Sequence, residues 1–272
     1  MSDFVSVVIS AYNRPDLLRR SLESLWDNTS YPYELIVHDD GSRGVTVSYL
    51  QAVLQQGKIS SLILNPLDHN RGLGISVNRA VDISEGKYIV KVNGDDRFEP
   101  GWLTKAVEVM QIYPEIGLLH LASYNYSGIH NKRFPDDYWE PGEDRTTLYR
   151  EIRDGLPVRV VWCGPGDGLM FTRKTWKRVG PWRSNYDPSF GADVHWRMDC
   201  CPMMRRPLLR PPDPAAAVEP HQLRGHWEKY RKTPWLAMMD PPVLDFSWGN
   251  GLTIISEAQK TLKHGPLLLG AK

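Results

Sequence analysis

No stretch of this sequence approaches the ~20 consecutive apolar residues that a bilayer-spanning helix needs, and the C-terminal GPLLLGAK is far too short to be one. Net charge is almost absent at +1 over 272 residues, so no global field draws the chain to nucleic acid or anionic lipid. Cysteine is scarce. Cys163, Cys200 and Cys201 are odd in number and lack CxxC spacing, and the adjacent pair makes a poor zinc clamp and a strained disulfide. Buried thiols in a reducing compartment are the expectation. The opening MSDFVSVVISAYNRP lacks the basic-then-apolar layout of a secretory leader. These absences together favour a soluble cytoplasmic protein, with peripheral contact at a membrane left open. Hydrophobic content of 41% and charged content of 24% fit an ordinary globular chain. Its length allows one large α/β domain, or one domain with a smaller appended piece.

The first half alternates strand and helix signals. A β-branched run over 4–10 ends at Asn13-Arg14-Pro15, and Pro15 suits a first helical position. Leu17, Leu18, Leu22 and Leu25 then recur at helical spacing. Strands are predicted over 33–38, 61–64 and 88–92, with helices over 45–54 and 72–83 between them. A helix over 102–113 and a strand over 117–121 follow. This βαβαβαβ order predicts a mostly parallel sheet with helices on both faces, in which ligands sit at the carboxyl ends of the strands. Residues 123–157 are turn-rich without a clear period, so they read as a functional loop or an irregular insertion. Strand character resumes over 158–162 and 168–172. Residues 202–220 are proline-rich and basic, suggesting an extended surface segment, and a helix over 252–262 is expected to dock back on the domain.

Two acidic clusters fall at predicted strand ends. Asp39-Asp40 precedes Gly41, and a carboxylate there can accept the N3–H of a uracil ring while glycine allows close backbone approach. The bland alternative is a helix cap or an Asx turn. Asn93-Gly94-Asp95-Asp96 follows a buried strand, and Mg²⁺ is often held by one or two carboxylates plus substrate phosphates. An ion there would absorb charge on a departing diphosphate; a polar turn is the rival. Asp193 suits a general base, or a first-turn residue stabilised by a helix dipole. His221 and His226 are candidate metal ligands, and surface placement is the commoner fate. Residues 205–232 are locally basic, which suits a diphosphate or phosphate-bearing acceptor, or a solvated face. Tyr124, Tyr126, Tyr138, Trp139 and Trp162 suit sugar stacking and core packing about equally.

The segments VSVVISAYNR and ELIVHDDGS resemble the opening of a family 2 glycosyltransferase of the GT-A (Rossmann-like) fold. Asn70-Arg71-Gly72 with Asn78, then Glu85-Gly86-Lys87-Tyr88 leading into NGDD, fit the same pattern. So do Gly168 to Arg173, Val179-Gly180 and Gly191 to Asp193, so the match covers roughly residues 4 to 200. The resemblance implies nucleotide contacts from Ser10, Tyr12, Asn13, Arg14, Asp40, Arg71, Asn93 and Asp95, with Asp40 on the base. It implies Mn²⁺ or Mg²⁺ at Asp95 and Asp96, with His221 (or its competitor His226) beside it, and Asp193 as catalytic base. The first aspartate of the usual DxD element is Asn93 here.

The implied reaction is an inverting transfer from a nucleotide-diphosphate sugar, most commonly a UDP-sugar, though dTDP- and GDP-sugars fit the same motifs. Glycan, lipid-linked sugar, protein and hydroxylated nucleic-acid base are all candidate acceptors. Residues 1–205 are expected to form the catalytic domain, and 206–272 a C-terminal helical extension packing on it as a candidate acceptor side. Two rivals are a nucleotidyltransferase, for which AYNRPDLL lacks the glycine- and lysine-rich triphosphate loop, and a catalytically inactive sugar-nucleotide or glycan-binding module.

Overall fold

The computed structural model describes residues 4–121, 147–161, 168–182, 235–239 and 244–245. Strand β1 (Val5–Ala11) leads into helix α1 (Pro15–Asn28), β2 (Tyr33–Asp39) into α2 (Gly44–Gln55), and β3 (Ser61–Leu64) into α3 (Leu73–Ile83). After β4 (Tyr88–Asn93) come a short β5 (Arg97–Phe98), α4 (Trp102–Ile112) and β6 (Ile116–His120). A hairpin of β7 (Thr147–Arg153) and β8 (Leu156–Val161) follows, then β9 (Leu169–Thr172), α5 (Arg173–Val179), β10 (Trp235–Met239) and β11 (Leu244–Asp245).

Nine strands form one sheet in the order β3-β2-β1-β4-β9-β6-β10-β8-β7. The first four are mutually parallel, and β6 pairs parallel with β10. Only β9 and β8 run against the rest. The sheet is therefore mixed but mostly parallel, as its βα repeats require. A separate two-stranded pairing joins β5 to β11.

Alternation along the strands sorts the core into two layers. Val5, Val7 and Ile9 of β1 pack with Leu18, Leu22 and Leu25 of α1 and with residues of α2 and α4. Val8, Ile36 and Ile89 face the opposite way, onto Val77, Ala80 and Val81 of α3 and Trp176 of α5. Each such aliphatic side chain contributes about 1.5–3 kcal/mol when fully buried. Both sheet faces are covered among the described residues, and the carboxyl ends of β1, β2 and β4 share one edge of the sheet. No described helix is long and apolar enough to cross a membrane.

Several resemblance motifs turn out to be fastenings away from that edge. Gly86 lies so close to β1 that a Cβ would sit 2.5 Å from the Ser6 amide nitrogen. Its own amide donates to Ser6 Oγ at 2.8 Å. Arg173 donates to the carbonyls of Gly86 and Ser84 at 3.0 and 2.8 Å. Asn78 makes reciprocal 2.8 Å bonds with the backbone of Trp182, tying α3 to the segment after α5.

Besides the two-residue β5 and β11, two longer strands depart from the sequence expectation. Thr147–Arg153 is a strand inside the stretch read as aperiodic. It is an edge strand with a register shift between Thr147 and Tyr149, and its Ile152 is exposed; a bulge on an edge destroys the period-two signal. The hairpin signal was nevertheless present as Asp154-Gly155, whose φ of 49° and 77° are those of a two-residue type I′ turn. Trp235–Met239 is hydrogen-bonded on both sides, to β6 and β8. A five-residue apolar run of this kind cannot be told from a helical fragment by periodicity. The proline-rich stretch 202–220, the basic stretch 205–232, the helix expected over 252–262, the five aromatic residues named for sugar stacking and all three cysteines lie outside the described residues.

Candidate active site

Strands β2, β1 and β4 are neighbours, and their carboxyl ends are level. Ser10 is in register with His38 on one side and Asn93 on the other. The two acidic clusters thus flank the end of β1, with strand axes about 10 Å apart by ordinary sheet spacing.

The β1–α1 loop between them is held in an unusual backbone conformation. Asn13 and Arg14 both have positive φ, 54° and 55°, which costs a non-glycine residue roughly 1–2 kcal/mol each. Cross-links to the β2–α2 loop sustain it. The Asn13 amide donates to Ser42 Oγ at 2.7 Å, and Asn13 Oδ1 accepts from the Arg43 amide at 3.0 Å. Ser42 in turn donates its amide to Asp39 Oδ1 at 2.9 Å. Arg14 reaches the other way, with Nη1 3.5 Å from Asp95 Oδ2. Ser10 and Tyr12 are half-buried here.

Asp40 is 2% exposed and its carboxylate has three donors from the β3–α3 segment. Oδ1 accepts from Asn65 Nδ2 at 2.5 Å and from the Arg71 amide at 2.9 Å, and Oδ2 accepts from the Gly72 amide at 2.7 Å. These amides open α3, where a carboxylate is favoured by the helix dipole. Asn65 Oδ1 also accepts from Arg79, extending the network into α3. Gly41 allows the approach: at φ +86°, a Cβ there would lie 2.8 Å from the Pro66 carbonyl oxygen. Asp40 thus shapes the 65–72 loop. The Arg71 side chain is exposed beside it.

Sequence reasoning named Asp39 only as part of its acidic cluster and passed over His38 before it. Asp39 Oδ2 and both ring nitrogens of His38 are buried without a hydrogen-bond partner among the described residues. Burial lowers the His38 pKa, against the upward pull of Asp40. Their signal was a polar ending, His38-Asp39-Asp40, on an otherwise apolar strand.

At the end of β4 the two carboxylates differ in role. Asp96 is fully buried and folds back on Asn93, accepting from its amide at 2.7 Å and from Nδ2 at 3.4 Å. Asp95 keeps 15% side-chain exposure. Burial raises its pKa, while Arg14 and Lys91 oppose that rise. Asp95 therefore offers one partly open carboxylate, which suits a cation that takes its remaining oxygens from substrate phosphates and water. Both oxygens of Asp96, the other expected metal ligand, accept hydrogen bonds from Asn93. Among the described residues no group of three His, Cys, Asp or Glu side chains is arranged to hold a metal. Asp193, His221 and His226 lie outside the described residues.

The glycosyl transferase family 2 model matches residues 6–179 of this chain. The chain is 34% identical over 160 residues to an uncharacterized glycosyltransferase of Methanocaldococcus jannaschii, covering 58% of this chain and 55% of that protein. It spans between a third and about half of the length of the first curated relatives it matches. Among solved structures it is similar to the mannosyltransferase PcManGT of Pyrobaculum calidifontis in complex with GDP-Man and Mn²⁺. There the TM-score is 0.51 at 19% identity, over 71% of this chain and 50% of that one. It is likewise similar to S. aureus TarS in complex with UDP, with a TM-score of 0.51 at 15% identity over 71% and 54%. At these identities the likeness carries the fold, and the fold is GT-A.

Proposed function

The chain belongs to glycosyl transferase family 2, and from that premise we propose that it moves a sugar from a nucleotide-diphosphate donor onto an acceptor hydroxyl with inversion at the anomeric carbon. The observation that carries this reading is the meeting of the β1, β2 and β4 ends at one edge of the sheet, with Arg14 of the loop after β1 reaching Asp95 after β4.

In this reading the nucleoside lies over the loop after β2, and Asp40 acts on it indirectly by fixing the 65–72 loop. Asp39, whose Oδ2 has no partner among the described residues, is the further candidate acceptor for a base N–H. Ser10, Tyr12, Asn13 and Arg71 complete the rim. The diphosphate lies toward Arg14 and Asp95, where the guanidinium can exchange the carboxylate for phosphate oxygens. Asp95 would hold Mn²⁺ or Mg²⁺, which would supply charge neutralisation for a departing diphosphate. His221 is a further candidate ligand. Asp193 is proposed to take the proton of the incoming hydroxyl.

UDP-sugars are the favoured donors, and glycan, lipid-linked, protein and modified nucleic-acid acceptors all remain compatible. Residues 206–272 are read as an acceptor-side extension of the catalytic domain at 1–205, with β10 as its tie into the sheet. A cytoplasmic location goes with this reading, with peripheral membrane contact left open.

The test is nucleoside-diphosphate release from a panel of UDP-, GDP- and dTDP-sugars, in Mn²⁺, by wild type and Asp193→Ala. Release by wild type from one donor class, falling about 10²-fold or more in the variant, is expected for loss of a general base. Equal background in both would instead favour a binding module.

A further inference from the structure

Arg14 occupies a position that local rules disfavour for it. It is the N-cap of α1 yet makes no side-chain cap, where a short oxygen-bearing residue would close the first turn. Its guanidinium adds positive charge at the positive end of a helix dipole. Its φ and ψ of 55° and 52° are left-handed, and the proline that follows restricts that backbone further. Its ion pair among the described residues, the 3.5 Å contact with Asp95, is too exposed to offset such costs. Strain of this kind, held in place by its surroundings, points to a use for the side chain outside the loop.

The backbone on each side of the contact is fixed. Asn13 is bonded to Ser42 and Arg43 of the β2–α2 loop, and the Arg14 carbonyl accepts from the Leu18 amide at 3.1 Å. Across the gap, Gly94 packs so closely on α1 that a Cβ would lie 3.2 Å from Leu18 Cδ1. Leu18 therefore seats both the start of the helix and the turn that bears Asp95. The movable part is the guanidinium, at the end of a flexible stem and 35% exposed, and it lies on Oδ2 of a carboxylate that is itself only 15% exposed.

A guanidinium and a divalent cation that share one carboxylate repel each other. A diphosphate removes the conflict, because its oxygens match the guanidinium fork and leave the carboxylate to the cation. We propose that Arg14 is a latch on Asp95, keeping a divalent cation weakly bound until a nucleoside diphosphate draws the guanidinium away, so that cation and nucleotide are taken up together. This rests on the glycosyltransferase reading above and adds an order of binding to it. The linkage is reciprocal: whatever the diphosphate adds to cation affinity, the cation returns to diphosphate affinity.

The test is titration of the nucleotide-free full chain with Mn²⁺, followed by loss of the free-ion electron paramagnetic resonance signal. Wild type, Arg14→Asn and Asp95→Asn are compared. Asparagine at 14 tolerates the left-handed backbone while removing both charge and reach. Arg14→Asn should bind Mn²⁺ about tenfold more tightly than wild type, the scale of removing one neighbouring cation at a partly exposed site. Asp95→Asn should lose that binding. Arg14→Gly suits the same φ without steric cost, so it should show the same gain and covers the case in which Arg14→Asn fails to fold. Mn²⁺ affinity that is unchanged or weaker in the position-14 variants would overturn the latch, and so would Mn²⁺ binding by none of the proteins. Calorimetric titration of wild type with UDP and with GDP in Mn²⁺ keeps the two readings apart. Nucleotide binding beside either of those results leaves the glycosyltransferase reading standing without the latch. Failure to bind either nucleotide would remove that reading, and this inference with it.

Discussion

Arg14 Nη1 lies 3.5 Å from Asp95 Oδ2, joining the loop after β1 to the turn after β4 at the carboxyl edge of the sheet. The contact is long for a charge-assisted hydrogen bond, and both side chains keep some exposure, 35% and 15%. A partly exposed ion pair of this kind contributes little to stability. What it does is hold a cation and a carboxylate side by side where a diphosphate would bind.

Asp95→Asn should therefore separate activity from stability. Donor turnover should fall about 10²-fold or more, the scale of losing one preorganised electrostatic group. Unfolding in urea should change by less than about 1 kcal/mol, because burial already disfavours the charged form of Asp95. Steady-state kinetics beside a denaturation curve checks both halves.

Asp40→Ala should behave in the opposite way. The carboxylate satisfies the amides of Arg71 and Gly72 and the side chain of Asn65. Its removal strands buried donors at roughly 1–3 kcal/mol apiece. A loss of about 3 kcal/mol or more in urea unfolding is expected, with weaker nucleotide binding following from the loosened loop. Unchanged stability alongside lost binding would instead make Asp40 a direct ligand of the base.

His38 sets a pH dependence. It is 1% exposed, and its burial lowers its folded-state pKa. In the unfolded chain it protonates near the ordinary value of about 6.5. Below that pH the unfolded state binds the extra proton, so the stability from neutral His38 is present above about pH 6.5 and is lost as the pH falls toward the depressed folded value. Denaturation curves at pH 7.5 and 5.5 should show a larger acid loss for wild type than for His38→Asn. The difference should be up to about 1.4 kcal/mol per pH unit across the window. Equal losses would contradict it.

Residues 4–121 were largely legible because their strands are apolar and β-branched and their helices repeat at helical spacing. Pro15 also marked the start of α1. The edge strand β7 was not, since its bulge breaks alternation, although Asp154-Gly155 announced the turn that follows it. Strand β10 is too short for periodicity to identify. At the site, the sequence located both acidic clusters but not their division of labour. Asp40 and Asp95 look alike on the page, yet one is tied to amides 31 and 32 residues away and the other is partly open. That distinction depends on long-range hydrogen bonds, which spacing cannot reveal.

In the proposed reading, nucleoside diphosphate binds across the β2, β1 and β4 ends. A crystal structure of the chain soaked with UDP and with GDP in Mn²⁺ tests it most directly. The expected density has the base beside the Asp39–Asp40 turn and the phosphorus atoms between Arg14 and Asp95. Nucleotide density at any other edge of the sheet, with Arg14 still seated on Asp95, would contradict the claim.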